Sequence, residues 1–132
     1  MQNMKKEVTH PRKEELYARS LRFLRDIYET IKRFPDYEED NLRDQLRRAS
    51  SSVGANFAEG HGNYYFGKER DRLNSSVGSI TECQFFLDLA CMVKYITREE
   101  HDKLDDDAQF ILDMLKGKMR KINEHIEEGG EK

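Results

Sequence analysis

The residues that could bind a metal ion lie in two places in the sequence, and each place lacks a full set of ligands. Glu7 and His10 have the Glu-x-x-His spacing that di-iron helical bundles use in pairs, but here the spacing occurs once, in the N-terminal segment. His101 and Asp105 are four residues apart and would share one face of a helix. Because no further ligands adjoin them in the sequence, a solvated helix turn is favoured and we predict no metal site.

Two other groups of residues could support catalysis. Glu59 and His61 form an acid–imidazole pair, but a general base needs a nucleophile and a pocket, so a pair at a helix end is favoured. Cys83 and Cys91 would lie about 12 Å apart on one helix, too far for a disulfide. Neither has a neighbouring basic group to lower its thiol pKa. We therefore predict a non-enzymatic, cytoplasmic protein with no cofactor and no small-molecule substrate.

Basic side chains on three predicted helices form the candidate surface for nucleic acid or a protein partner. They are Arg22, Arg25, Arg43, Arg47, Arg48, Lys68, Arg70 and Arg72. Acidic residues alternate with them, so an ordinary solvated face is favoured for one chain, although repetition around a ring would create a large positive surface. The aromatic run Tyr64, Tyr65 and Phe66 could stack on bases or anchor a loop on the core.

The overall charge does not favour nucleic acid. The 132 residues carry a net charge of −3, and by count residues 1–72 hold +2 while residues 73–132 hold −5. A nucleic-acid-binding domain is usually basic as a whole, so any such surface must be local. The sequence contains no apolar run near the ~20 residues that span a bilayer, so we predict no membrane partner.

Apolar periodicity places these side chains on four helices, over about 11–33, 41–60, 68–95 and 98–128. Short connectors predict an all-α, up-down-up-down antiparallel four-helix bundle. The domain would cover residues 11–128, with flexible tails at 1–10 and 129–132. Gly60 and Gly62 are expected to end the second helix, since glycine adopts the left-handed conformation without strain.

Two helices carry distinctive apolar patterns. In the first helix one stripe is predicted, comprising Leu16, Tyr17, Leu21, Leu24, Ile27, Tyr28, Ile31 and Phe34. The third helix has a core seam and a second apolar face, made by Phe85, Phe86, Leu89, Met92 and Val93. A lone bundle would leave one of those faces uncovered, so we predict self-association.

Several sequence segments resemble a bacterial four-helix-bundle family whose members include proteins encoded by intervening sequences in 23S ribosomal RNA genes. The segments are Phe34-Pro35, Gln45-Leu46-Arg47-Arg48-Ala49, Ser52 to Gly60, and Gly78-Ser79-Ile80-Thr81-Glu82. The resemblance covers about residues 15–125. It makes Asn56, Glu59, Gly60, Gly78, Ser79 and Glu82 the signature residues, to which we assign structural roles.

The resemblance implies a homopentamer of four-helix protomers. The family is also similar to the accessory proteins of diversity-generating retroelements, which bind a reverse transcriptase and nucleic acid. We therefore expect a scaffold that engages RNA or an RNA-handling protein such as a reverse transcriptase. The alternative is a protein-binding or self-assembling module with no nucleic-acid role.

The signature also suggests a contact between the second and third helices. Asn56 is expected to face Ser79 or Glu82 across a seam of small residues formed by Gly54, Ala55 and Gly78. A satisfied polar network at that seam would fix the register of the two helices.

Overall fold

Four α-helices form the described part of the chain, residues 5–130, in a computed structural model. They are α1 (Glu15–Ile31), α2 (Leu42–His61), α3 (Phe66–Met92) and α4 (Arg98–Gly130). Each helix packs against the next along the chain, and α1 also packs against α4, which closes the bundle. Glu14 meets Lys118 late in α4, while Arg33 meets Glu100 at its start, so α1 and α4 are antiparallel. The predicted four-helix architecture is confirmed.

The first helix begins four residues later than predicted. Pro11 opens a short 3-10 turn, Pro11–Lys13, and Glu14 then takes an extended conformation with φ −88° and ψ 138° before α1 starts. A proline fits the first turn of either helix type, because its missing N–H would have no helical partner there. Pro11 therefore correctly indicated a helical turn but did not mark the start of α1.

The apolar residues of α1 lie on two faces rather than on one stripe. Its core face contains Leu16, Ser20, Phe23, Ile27 and Ile31. Three residues assigned to that stripe lie elsewhere: Leu21 is 53% exposed, Tyr28 is exposed and Leu24 is half-buried. The single predicted stripe is therefore wrong, because the sequence mixes two apolar faces about 100° apart and Phe23 was left out of the core.

In α2 and α4 the apolar residues that recur every three or four positions are buried in the core with few exceptions. Leu46, Val53 and Phe57 of α2 pack with Ile111 and Leu115 of α4 in one cluster. In α3 the core face is Leu73, Ser76, Ile80, Cys83, Leu87 and Ala90. Within residues 5–130, no helix combines the length and apolar character needed to cross a membrane.

The turn from α3 to α4 is fixed by local hydrogen bonds. Lys94 adopts a left-handed conformation with φ 68°, and the next N–H, that of Tyr95, donates to the carbonyl of Ala90 at 2.9 Å. Thr97 and Glu100 then form a reciprocal capping box, with bonds of 3.0 and 3.1 Å. The helix continues through Gly130, past the predicted boundary at 128, and residues 131–132 lie outside the described residues.

The segment before α1 lies against the bundle from Lys5 onward. Lys5 forms an isolated antiparallel bridge with Tyr65, and the N–H of Lys6 donates to the carbonyl of Tyr64 at 2.8 Å. The sequence predicted a flexible tail over residues 1–10, of which 1–4 lie outside the described residues. The loop between α2 and α3 is thus covered by the N-terminal segment.

Helices α2 and α3 lie close together at Gly60. A Cβ atom at this position would lie 2.8 Å from the Cβ of Arg72 and 3.2 Å from the carbonyl oxygen of Glu69. None of the described glycines has a positive φ, and Gly62 has φ −80°. The predicted left-handed helix end is therefore wrong, and Gly60 is required for space rather than for conformation.

We expect Gly60→Ala to destabilise the folded protein by ~1–3 kcal/mol, because its methyl group must push the backbone of α3 away. The matched control is Gly117→Ala in α4, where the new Cβ meets only the flexible end of Arg120 at 3.6 Å. That change should stabilise the helix by ~0.5–1 kcal/mol. Urea unfolding of both variants measures the difference, and equal midpoints would contradict the close-approach explanation.

Candidate functional site

A line of polar side chains joins α2 to α3 at the signature. The Ser79 hydroxyl donates to Ser52 Oγ at 3.0 Å, and Asn56 Nδ2 donates to the same oxygen at 2.8 Å. Further along the seam, Ser76 Oγ donates to the carbonyl oxygen of Val53 at 2.7 Å. Because these bonds pair particular turns of the two helices, a slip of one helix past the other would leave buried polar atoms unsatisfied.

Arg72 extends this network to the end of α2. Its guanidinium lies 3.1 Å from Glu59 and donates to Asn56 Oδ1 at 3.5 Å. Both charged side chains are about half exposed, so the ion pair itself adds little stability and mainly orients the groups. Asn56, Glu59 and Ser79 of the signature thus belong to one set of contacts.

Other signature residues lie outside that network, contrary to the predicted seam. Gly54 faces α1, where an added Cβ would lie 3.0 Å from the Cβ of Ser20. An added Cβ at Gly78 would meet nothing within 4 Å, and Glu82 is exposed. Asn56 was predicted to contact α3 directly. In the structure Ser52 connects Asn56 to Ser79 of α3. The predicted seam of Gly54, Ala55 and Gly78 is therefore wrong.

A buried ion pair closes the end of α2. The ammonium group of Lys6 lies 2.8 Å from Glu69 Oε1 and donates to the carbonyl oxygens of Gly60 and His61 at 3.4 and 2.8 Å. The two charged side chains are only 7% and 8% exposed. A cation at a helix C-terminus satisfies carbonyl groups that have no partner in the helix. Sequence reasoning missed this pair because its partners are 63 residues apart.

His61 belongs to this end of the bundle and not to a pair with Glu59. Its Nε2 lies 2.9 Å from Thr9 Oγ1, and its Nδ1 lies 3.9 Å from Glu69 Oε2. Burial lowers the pKa of His61 below its ordinary value, since a charged imidazole would lose hydration there. With Glu59 turned toward Arg72, the acid–imidazole pair considered from the sequence is absent from this site.

Most of the predicted basic surface is paired within the same chain. Arg43 donates to the carbonyl oxygens of Phe34 and Lys32. The ion pairs of the surface are Arg25–Asp26, Arg43–Glu39, Arg47–Glu39, Arg48–Asp44 and Arg72–Glu59. Among residues 5–130, Arg22, Lys68 and Arg70 form no ion pair. The structure therefore does not bring the eight residues together as one cationic patch.

The aromatic loop has one exposed side chain, Tyr64, whose ring lies 6.5 Å from that of Tyr65. Tyr64 is 65% exposed, whereas Phe66 stacks on the ring of His125 with centroids 5.0 Å apart. Tyr65 is half-buried, and its N–H donates to Asn63. Of the three aromatic residues, Tyr64 is therefore the best placed to stack on a ligand.

A groove of about 280 Å³ runs between α1 and α2. Its wall consists of Tyr17, Leu21 and Leu24 of α1, and its floor is formed by small residues of α2: Ser51, Gly54, Ala55 and Ala58. Small side chains on α2 leave the space that the α1 side chains border. This α1–α2 groove gives a role to the small side chains of Ala55 and Ala58, whereas Gly54 is already explained by its close contact with Ser20.

A ridge of exposed apolar side chains lies along the last three turns of α3. It consists of Phe85, Leu89 and Met92, which are 65%, 37% and 78% exposed. Gly78 and Glu82 precede Phe85 and Leu89 by seven residues and therefore share their face of the helix. The α3 ridge confirms part of the second apolar face predicted for α3, whereas Phe86 packs against the core and Val93 follows the end of the helix.

His101 has carboxylate neighbours that the sequence did not identify. Its two ring nitrogens lie 2.7 Å from Asp88 Oδ1 on α3 and 2.8 Å from Asp102 Oδ1. Hydrogen bonds to these carboxylates raise the pKa of His101, because they favour the charged imidazole. Asp88 was missed because it reaches the site from another helix.

The two cysteines are free thiols. Cys83 is buried in the core, and burial raises its pKa to about 12, which makes the reactive thiolate scarce at neutral pH. Cys91 is half-buried. This agrees with the interpretation of both residues as packing groups.

Comparisons with known proteins agree on one group. A family model described as 23S rRNA-intervening sequence protein matches residues 12–117. The chain is also similar to a crystal structure of a protein of unknown function from the S23 ribosomal protein family of Bacteroides thetaiotaomicron. The identity is 25% and the TM-score 0.74, with 79% of this chain and 97% of that chain covered. No curated protein matches the chain significantly.

We expect Lys6→Met to destabilise the protein by about 3 kcal/mol, because it leaves the Glu69 carboxylate buried without its cation. The double variant Lys6→Met/Glu69→Gln should recover much of that loss, since the uncompensated charge is then removed. Chemical unfolding of the single and double variants tests this.

Lys5→Met is the matched control, since Lys5 is exposed and its change should alter the unfolding free energy by less than ~0.5 kcal/mol. If Lys6→Met and Lys5→Met lowered the unfolding free energy by the same amount, the buried pair would not anchor the N-terminal segment.

Proposed function

Because the chain belongs to the family of 23S rRNA-intervening sequence proteins, we propose that it is a non-enzymatic scaffold that assembles head to tail and engages RNA. The observation that carries the proposal is the presence of two unlike apolar surfaces on one chain. The α1–α2 groove is concave, and the α3 ridge is convex.

Two different surfaces favour a heterologous contact between copies. When one patch meets a different patch on the next copy, rotation generates a ring or a filament, whereas a twofold contact joins a patch to itself. The side chains of Phe85 and Met92 could enter a groove whose floor is made of glycine, alanine and serine. Because the family resemblance implies a homopentamer, the ring we propose contains five copies.

Charge beside the two surfaces supports the same pairing. Arg48 lies seven residues before Ala55 and Arg25 four after Leu21, so each borders the groove while paired with an acid of its own chain. Glu82 borders the ridge, and together with Gly78 it belongs to the signature residues that make no contact in the α2–α3 network. Contact of that face with another copy would explain why Gly78 and Glu82, which are both exposed, belong to the signature. Opposite charges at the rim would favour the correct orientation.

The RNA component of the proposal rests on the end of the bundle where α2 joins α3. Lys68 and Arg70 are without ion pairs among the described residues, and the exposed ring of Tyr64 precedes them. Cations that track phosphates and an aromatic ring that stacks on bases are the usual elements of single-strand binding. In a ring, each copy would present the same elements on one side.

A second candidate function, a protein-binding module without RNA, is favoured by the intramolecular pairing of five of the eight predicted basic residues. A nuclease-resistant protein partner, such as a reverse transcriptase, in a pull-down would support it. Binding lost on nuclease treatment would support the RNA scaffold.

We expect Leu21→Glu in the groove and Phe85→Glu on the ridge each to reduce the mass in light scattering to that of one chain, 15.6 kDa. A buried, unpaired carboxylate opposes the contact from either side. Mixing the two variants should restore one interface, because each keeps the surface that the other has lost. The mixture should therefore contain a dimer of about twice the chain mass.

Tyr64→Glu is the matched control, since Tyr64 is as exposed as Phe85, at 65%, and lies outside both surfaces. Its mass should equal that of the unaltered protein. An unaltered protein that is monomeric at high concentration, or variants that fail to complement each other, would refute head-to-tail assembly.

We expect the protein to retain single-stranded RNA in filter binding at low salt, with affinity that falls as salt increases. Lys68→Gln/Arg70→Gln should reduce the slope of log affinity against log salt by about two, since each cation displaces about one counterion. Lys103→Gln on α4, an exposed lysine far along the bundle, should leave the slope unchanged. Absence of retention at low salt would exclude the RNA component and leave the protein-binding module.

A further inference from the structure

We propose that Asp88, His101 and Asp105 bind a divalent transition-metal ion, with Zn²⁺ as the best-matched ion. A donor atom from each of the three side chains lies within 4.8 Å of the others. The donors come from two helices, one from α3 and two from α4. The site adjoins the α3 ridge, since Met92 lines the cavity beside Asp88 and His101, and it lies at the opposite end of the bundle from the proposed RNA contacts.

The imidazole of His101 is held in a definite orientation. Only 7% of the residue is exposed, and Asp102 Oδ1 lies 2.8 Å from Nδ1. A carboxylate at Nδ1 keeps the ring proton there and leaves the lone pair of Nε2 available, as in carboxylate–histidine–zinc groups. That lone pair faces the carboxylate oxygen of Asp88 at 2.7 Å. Because two lone pairs repel, the 2.7 Å contact requires a second proton on Nε2, and a metal ion would replace that proton once Asp88 moves outward.

Asp105 is also positioned by a neighbour. Gln84 Nε2, from α3, donates to Asp105 Oδ1 at 3.3 Å. Two of the three proposed ligands therefore have an outer partner, which is the arrangement that orients ligands in metal sites. A protonated His101 between Asp88 and Asp102, with the negative charge of Asp105 nearby, is the alternative state of this cluster, and the titration below separates it from a metal site.

Binding an ion requires the donors to shift, since they lie within 4.8 Å of one another rather than at the spacing of bound ligands. Tetrahedral zinc with bonds of 2.0–2.1 Å holds its donors about 3.3 Å apart, so Asp88 must withdraw by about 0.6 Å. The side chain of Asp88 is 68% exposed and can rotate freely. Three protein donors leave a fourth position for water, and a cavity of about 370 Å³ adjoins Asp88 and His101. A nitrogen donor favours zinc over magnesium.

The test is titration of the full-length protein with Zn²⁺ alone, by calorimetry, after treatment with a chelator and exchange into metal-free buffer. We expect one ion per chain. Asp88→Asn and Asp105→Asn should each weaken binding at least tenfold. Asp106→Asn is the matched control, an exposed neighbouring acid outside the cluster, and should bind as the unaltered protein does.

His101→Ala should abolish binding, but it also removes a buried side chain and can destabilise the fold. The deciding variants are therefore Asp88→Asn, at an exposed residue, and Asp105→Asn, which keeps the shape of the side chain. Co²⁺ should give the strong visible absorption of a tetrahedral ion in the unaltered protein and lose it in Asp88→Asn. Three results would overturn the proposal: no heat of binding at 100 µM Zn²⁺, equal weakening by Asp105→Asn and Asp106→Asn, or unchanged binding by Asp105→Asn. The last result would identify His101 as a protonated clamp only.

Discussion

The close approach of α2 and α3 at Gly60 is the constraint on which the rest of the bundle depends. With no side chain at Gly60, the backbone of α3 can lie against the last turn of α2. Ser76 and Ser79 then reach their partners on α2, and Glu69 reaches the buried ammonium group of Lys6. A larger separation would break the hydrogen bonds and hydrate the ion pair. The absence of a side chain at Gly60 therefore sets the register of α2 and α3 and the position of the N-terminal segment.

Patterns with a local cause could be predicted from the sequence. The heptad-like apolar residues of α2, the Thr97–Glu100 capping box and the helix order all depend on spacings of three or four residues. The same reasoning failed where two apolar patterns overlap. In α1, Leu21 and Phe23 are equally apolar, and only the neighbouring helices determine that Phe23 is buried and Leu21 is exposed.

Contacts between distant residues could not be predicted in this way. The buried pair of Lys6 with Glu69 and the approach of Asp88 to His101 each join residues from different elements. A single sequence contains no signal for such pairs, because a charged residue in a polar segment looks like any other solvated charge. The state of the candidate surfaces could not be predicted for the same reason. Pairing of Arg47 with Glu39, eight residues away, became evident only from the fold, whereas Arg48 and Asp44 are four residues apart on one helix.

Both ends of the described chain lie beside the loop between α2 and α3. Lys5 pairs with Tyr65, and His125 stacks on Phe66, the next residue. An even number of antiparallel helices produces this arrangement, since the chain returns to the side from which it started. A short linker could therefore join the two ends, and the chain could be opened instead between α1 and α2. Such a circular permutant would keep every helix contact while changing the order in which the helices leave the ribosome.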